Sequence, residues 1–259
     1  MTLHATAVGA GPALTFLHGF GLHGGTWAAQ AAEFSRTHRA ITIDLPGFGR
    51  SPDAGDMRPM PDLIARALDA RGVRETALVG LSLGGAVATD FALAHPARVT
   101  ALVLADALLL GYPATLETWD TCVALARAGD CAGAREHWLT DGVFAKARGR
   151  PAVWAAIRAM LAAYDCGHWT GAAALRWTTT RPRERLSEIR VPTLVLVGEH
   201  DTPAFHAMAD VYVAGIAGAR KVVLPAAGHV SCMEEPAAFN EALRGFLASA
   251  GGGPRPPRS

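Results

Sequence analysis

The chain has 259 residues, half of them hydrophobic and 18% charged, with a formal net charge of +1. That composition supports one sizeable core with room for an inserted segment, and with no run of Lys or Arg before the final residues it argues against nucleic acid or an anionic membrane surface as partner; the expected partner is a small molecule. The cysteines Cys122, Cys131, Cys166 and Cys232 show neither Cys-x-x-Cys spacing nor disulfide-scaffold density, the N-terminus lacks a signal-peptide pattern, and no apolar run approaches the ~18 residues of a membrane span, so the expectation is a reduced, soluble, cytoplasmic protein.

In chain order, residues 3–8 and 13–17 read as short strands around the turn Gly9-Ala10-Gly11-Pro12. The second strand runs into His18-Gly19-Phe20-Gly21, a glycine-rich loop that either brings backbone N–H groups to the carboxyl edge of a sheet or is a simple strand-to-helix turn. Residues 27–34 form a short helix and 40–44 a strand, continued by Leu45-Pro46-Gly47-Phe48-Gly49-Arg50-Ser51 as a rigid turn. Asp44 is expected to bond backbone N–H groups of that turn. A helix over 62–70 precedes the apolar run Ala77-Leu78-Val79; residues 99–105 form a further buried strand ending at Asp106.

Gly80-Leu81-Ser82-Leu83-Gly84 lies between a buried strand and the helix-forming run 86–94. A serine at the apex of so tight a turn needs neighbours without side chains, and the glycines stand two residues to each side. Its hydroxyl projects from the strand end, and the N–H of Leu83, at a helix start, is free to donate to an oxyanion.

From 111 to about 185 strand-like runs vanish. Leu116, Trp119 and Val123 fall on one helical face; Pro151 opens a helix whose stripe is Val153, Ile157, Met160, Leu161 and Tyr164. The sheet resumes at 191–197, ending in Gly198-Glu199-His200-Asp201; a helix over 205–214, a strand over 221–224 ending in Pro225-Ala226-Ala227-Gly228-His229, and a last helix over 236–248 close the fold. The organisation expected is a core of 1–110 and 186–249, a helical lid over 111–185 and a disordered tail over 250–259.

Ser82, Asp201 and His229 each follow a predicted parallel strand and so emerge on one sheet edge. A serine hydroxyl is a poor nucleophile at neutral pH; an imidazole takes its proton and returns it to the leaving group, and a carboxylate fixes the imidazole tautomer. His4, His95, His137 and His206 read as solvated or capping residues. With His18-Gly19-Phe20-Gly21, Asp44 to Ser51, Gly80 to Gly85, Gly198 to Asp201, and Gly228-His229 followed by Glu234 and Pro236, the chain resembles the serine α/β-hydrolase superfamily, specifically its small capped members. The resemblance implies a mostly parallel sheet with helices on both faces, Ser82, Asp201 and His229 as catalytic triad, Phe20 and Leu83 as the oxyanion N–H groups, an inserted lid, and action without cofactor or metal. It is most similar to the enol-lactonase and carboxylesterase group, with the pyruvate-eliminating menaquinone-pathway synthase as a neighbour.

The expected function is hydrolysis of an ester or lactone through an acyl-Ser82 intermediate. The same triad also serves carbon-carbon cleavage, elimination or cyclisation, and the fold also hosts non-catalytic binding proteins. Five of the six tryptophans lie in the inserted segment; Trp119, Trp138, Trp154 and Trp177 are candidates to roof an apolar or aromatic acyl group, against the alternative that they form the segment's own core. Arg127, Arg135 and Arg176 are weaker candidates for pairing a substrate carboxylate, and Cys232 for lining the site. Asp106 also ends a strand, but Asp201 is the expected partner of His229. Substrate identity and oligomeric state lie beyond the sequence.

Overall fold

β1 (Ala5–Val8), β2 (Ala13–Leu17), β3 (Arg39–Ile43), β4 (Thr76–Leu81), β5 (Val99–Ala105), β6 (Thr193–Gly198) and β7 (Arg220–Leu224) pair into one seven-stranded sheet in the order β1-β3-β2-β4-β5-β6-β7. The computed structural model describes residues 2–52, 58–113, 118–179 and 181–251. β1 runs antiparallel to β3, and every other pairing is parallel. All six residues of β4 are buried, as expected of an apolar run that must face helices on both sides.

Those helices are α1 (Ala28–Phe34), α2 (Met60–Asp69), α3 (Leu83–Ala94), α8 (Pro203–Gly215) and α10 (Pro236–Gly251). The chain leaves β2 toward β3 on one side, whereas β4 pairs on the other. The carboxyl ends of β2 and β4 therefore flank a topological switch point, the place where open α/β sheets bind ligands.

Between β5 and β6 the described residues contain no strand. Four α-helices occur there: α4 (Trp119–Arg127), α5 (Cys131–Trp138), α6 (Pro151–Ala162) and α7 (Gly167–Thr170). Pro151 opens α6 at its first position, and of the predicted stripe Ile157, Met160, Leu161 and Tyr164 are buried while Val153 is half-buried. Trp119 and Val123 pack against the core from α4; Leu116, expected on the same face, lies outside the described residues.

Cys131 and Cys166 form a disulfide with Cα atoms 6.0 Å apart, which corrects the expectation of a reduced chain. It joins the first residue of α5 to the N-cap of α7. The pairing depends on how the helices between β5 and β6 pack, which no sequence spacing reports. Cys122 and Cys232 are free and buried. No helix among the described residues is long and apolar enough to cross a membrane.

A short helix missing from the sequence reading, α9 (Ser231–Glu234), follows β7, and α10 runs to Gly251, past the expected end near 248. Its first turn packs beside α9. The rest of the expected tail, 252–259, lies outside the described residues.

Candidate active site

Ser82 stands between the last residue of β4 and the first of α3, at φ 51° and ψ −115°. A side-chain-bearing residue in this sparsely populated region stores on the order of 1–3 kcal/mol and persists only where its surroundings over-determine it. Here they do. Its N–H donates to the Ala105 carbonyl at 3.0 Å, extending the β4–β5 ladder, and its carbonyl accepts from Gly85 at 2.9 Å and Leu108 at 3.0 Å. The turn closes only on glycine: a β-carbon on Gly80 would lie 2.2 Å from the Gly84 carbonyl oxygen, and one on Gly84 2.2 Å from that of Leu17. The start of α3 is thereby pressed against the end of β2. The N–H of Leu83, first residue of α3, is given to no protein acceptor among the described residues.

The loop after β2 is fixed by His18, which is fully buried. Its Nδ1 lies 2.8 Å from the Gly19 carbonyl oxygen, and its Nε2 accepts the Leu45 N–H at 2.9 Å. A carbonyl only accepts and an N–H only donates, so the ring is neutral with its proton on Nδ1. Burial lowers its pKa to about 4, in agreement. Within one trans peptide unit C=O and N–H point in opposite directions, so holding the Gly19 carbonyl toward His18 directs the Phe20 N–H away from it. Gly19 itself abuts Ser82: a β-carbon there would lie 3.4 Å from that of Ser82. Asp44 has the structural role expected of it, accepting from Gly24 N–H at 2.6 Å and Arg50 N–H at 2.9 Å.

His229 and Asp201 meet across the loops that follow β7 and β6. Nδ1 lies 2.9 Å from Asp201 Oδ2, both groups buried, and Asp201 Oδ1 accepts the Thr202 N–H at 2.6 Å. The carboxylate sets the tautomer, leaving Nε2 as the ring's acceptor. Burial is the largest influence on the imidazole and lowers its pKa, but the charge and hydrogen bond of Asp201, with Asp106 and Glu234 beyond, outweigh it and leave the pKa raised. Glu234 braces the histidine from below: Oε2 accepts the Gly228 N–H at 2.5 Å and Oε1 the Val230 N–H at 3.2 Å. The Gly-His-x4-Glu spacing noted in the sequence thus has a mechanical reason.

Ser82 and His229 line one cavity of about 20 Å³ together with Phe20, Trp138, Val143 and Phe144, room for about one water molecule. A larger cleft of about 490 Å³ beside Gly111, Arg181, Arg183 and Glu184 brings together no nucleophile and base among the described residues. Of the four candidate tryptophans, only Trp138 reaches the cavity wall. Trp119 is one ring further out, 5.0 Å from Phe20; Trp154 packs 6.3 Å from Phe144, and Trp177 is a partly buried core contact. The sequence reading did not find the cage around Phe20, whose ring touches Phe48, Trp119, Trp138, Tyr164, His168 and Trp169 at centroid distances of 5.0 to 5.9 Å. Nor did it find Val143 and Phe144, which follow the Asp141 N-cap of a short helical turn and carry no sequence signal.

Arg135 caps the end of α6 through the carbonyls of Ala162 and Tyr164, which gives it a structural task instead of a substrate carboxylate. Cys232 is fully buried, and burial pushes its thiol pKa well up, so it behaves as a packing residue. Among the described residues no group of His, Cys, Asp and Glu side chains forms a metal-binding set.

The family model described as alpha/beta hydrolase fold matches residues 12–236. The chain belongs to that family. Among relatives, this hydrolase is 28% identical to the pimeloyl-acyl-carrier-protein methyl ester esterase of Aeromonas hydrophila, over 95% of this chain and 100% of the other. Among solved structures, it superposes on a hydrolase from Pseudomonas aeruginosa PA01 with TM-score 0.80 and 32% identity, over 95% of this chain and 94% of that one. An enol-lactonase from Burkholderia xenovorans LB400 gives TM-score 0.83 at 26% identity, over 95% and 96%. This α/β-hydrolase is an enzyme.

Proposed function

We propose that this α/β-hydrolase cleaves a small-molecule carboxylic ester or lactone through an acyl-enzyme on Ser82. The observation that carries the proposal is the buried pair of His229 Nδ1 and Asp201 Oδ2 at 2.9 Å, with His229 on the wall of the cavity that Ser82 also lines. In this reading His229 Nε2 takes the Ser82 proton as Oγ attacks the carbonyl, and returns it to the leaving alkoxide. Asp201 stabilises the imidazolium that forms. The tetrahedral oxyanion is received by the N–H groups of Phe20 and Leu83, each worth roughly 10²- to 10³-fold. Water activated by the same imidazole then releases the acid.

The apolar walls contributed by Phe20, Trp138, Val143 and Phe144 favour an uncharged acyl group beside the scissile carbonyl. The segment 111–185 acts as the lid over that group, with Trp138 as the tryptophan that touches substrate. Esterase and enol-lactonase relatives are in keeping with this substrate class. The deciding test is hydrolysis of p-nitrophenyl acetate by the wild type and Ser82→Ala, with fluorophosphonate labelling followed by intact-mass measurement. The wild type should turn over and gain one label; the Ala variant should do neither, with kcat reduced on the order of a million-fold. Retention of more than about a per cent of the activity in Ser82→Ala removes Ser82 as nucleophile.

A further inference from the structure

Arg150, the residue before α6, reaches out of the inserted segment onto the loop that carries His229. Its Nη1 donates to the Glu234 carbonyl; its Nη2 donates to the Ala226 carbonyl at 3.0 Å and to the Glu235 carboxylate. These acceptors bracket His229 on both sides. Within the bracket, the Glu234 carboxylate already spans the histidine by accepting from Gly228 and Val230. One side chain of the inserted segment therefore ties both ends of the loop whose middle Glu234 holds.

The planar guanidinium suits this task, since its donors lie in a rigid fork that serves several acceptors at once; an ammonium offers only a point charge. Its side chain is 28% exposed and that of Glu235 30%, so solvent screens the pair and its value lies in geometry more than in attraction.

We propose that Arg150 is a positioning residue for His229, coupling the docked position of the inserted helical segment to the placement of the imidazole. The contact stands on the structure alone; its effect on turnover rests on the triad reading given above. The charged groups around the imidazole are Asp201, Asp106 and Glu234, all acidic, with Glu235 beside Glu234 and the β-carbon of Lys146 packed over Gly228. Arg150 is the cation that acts on Glu234, so its loss leaves this acidic surrounding less compensated and favours the protonated imidazole.

Wild type, Arg150→Met and Arg150→Lys are compared by two readouts: the NMR titration of the His229 ring, assigned against His229→Gln, and kcat and KM for p-nitrophenyl acetate. In the Met variant the His229 titration should move up by roughly half a pH unit. Its kcat should fall on the order of tenfold with KM within about twofold, and added guanidinium ion should restore part of the loss. The Lys variant keeps the charge and loses the fork, so His229 should titrate as in the wild type while kcat still falls. A Met variant with wild-type titration and kcat overturns the proposal, as does one in which guanidinium leaves an impaired kcat unchanged. Should the Met variant not fold, wild-type kcat in the Lys variant overturns it. A wild type without esterase activity would count against the hydrolytic reading; the placement of His229 is then read from the chemical shifts of its ring, and shifts unchanged from wild type in both Arg150→Met and Arg150→Lys would overturn the proposal.

Discussion

Ser231 Oγ donates to Asp106 Oδ2 at 2.5 Å and Gly198 N–H donates to Oδ1 at 2.8 Å, so both oxygens of Asp106 are engaged while His229 turns Nδ1 to Asp201. Asp106 ends β5 at φ 45° and is almost wholly buried. Burial, reinforced by the neighbouring charge of Asp201, pushes its carboxyl well above the usual range. It braces the ends of β5 and β6 against α9.

The two carboxylates are therefore expected to respond differently to the same change. Asp201→Asn removes the group that sets the tautomer and should lower kcat for p-nitrophenyl acetate on the order of 10⁴-fold. Asp106→Asn keeps the shape of a bracing group and should leave kcat within about tenfold of wild type, with stability reduced. The reverse ranking in a side-by-side kinetic comparison would reassign the acid to Asp106.

His18 makes stability depend on acid. The ring is neutral in the fold, where burial lowers its pKa to about 4, against an ordinary value of 6.5. Between those two values the unfolded chain binds the proton and the folded chain does not. Its contribution is thus fully present above about pH 6.5 and is lost as pH falls through about 4, a difference worth about 3 kcal/mol. Urea unfolding at pH 7 and pH 4.5 measures it. His18→Gln should be less stable than wild type at pH 7 and lose less stability than wild type on going to pH 4.5. Parallel losses in the two proteins would show that His18 does not carry the effect.

The contrast between what sequence and structure reveal follows the range of the interactions. The elbow at Ser82 was legible because its cause is local: Gly80 and Gly84 stand close enough along the chain that their missing side chains can be read directly. Asp201 and His229 were legible because each follows a strand, and parallel strands deliver their ends to one edge. The cage around Phe20 was not legible, since it gathers rings from β2's loop, α4, α5 and α7, and helix packing decides which of many tryptophans face inward. Trp154 and Trp177 looked like Trp138 by composition; only packing separates them. The hold of Arg150 on the Glu234 carbonyl spans 84 residues and has no motif at all.

The Cys131–Cys166 bond gives a prediction about the inserted segment. It closes a separation of 35 residues, for which chain-entropy reasoning allows up to about 4 kcal/mol of stabilisation. Reduction by a dithiol, or the double change Cys131→Ala and Cys166→Ala, should lower Tm by several degrees. Because α5 ends in Trp138 on the cavity wall and α7 carries Trp169 against Phe20, kcat should fall as well. Thermal unfolding followed by circular dichroism, with and without reductant, checks the first part. Unchanged Tm after complete reduction, verified by thiol titration, would mean that packing alone holds α5 to α7.

The last prediction concerns the fate of water. In hydrolysis, the acid product takes one oxygen from solvent when His229 activates water against acyl-Ser82. In elimination or cyclisation the same imidazole removes a substrate proton, the two N–H groups stabilise an enolate oxygen, and no water enters the product. In the proposed site both pathways would draw on the Phe20 and Leu83 N–H groups, so the oxyanion does not separate them; the acyl-enzyme does. With p-nitrophenyl acetate in ¹⁸O-water, the acetate released should carry one heavy oxygen, and rapid quench should catch Ser82 bearing the mass of an acetyl group. For a lactone substrate the ring-opened acid should carry the same single label. Products without ¹⁸O, from a protein whose Ser82 never gains acyl mass, would assign the Asp201–His229 pair to proton abstraction and remove the acyl-enzyme from the mechanism.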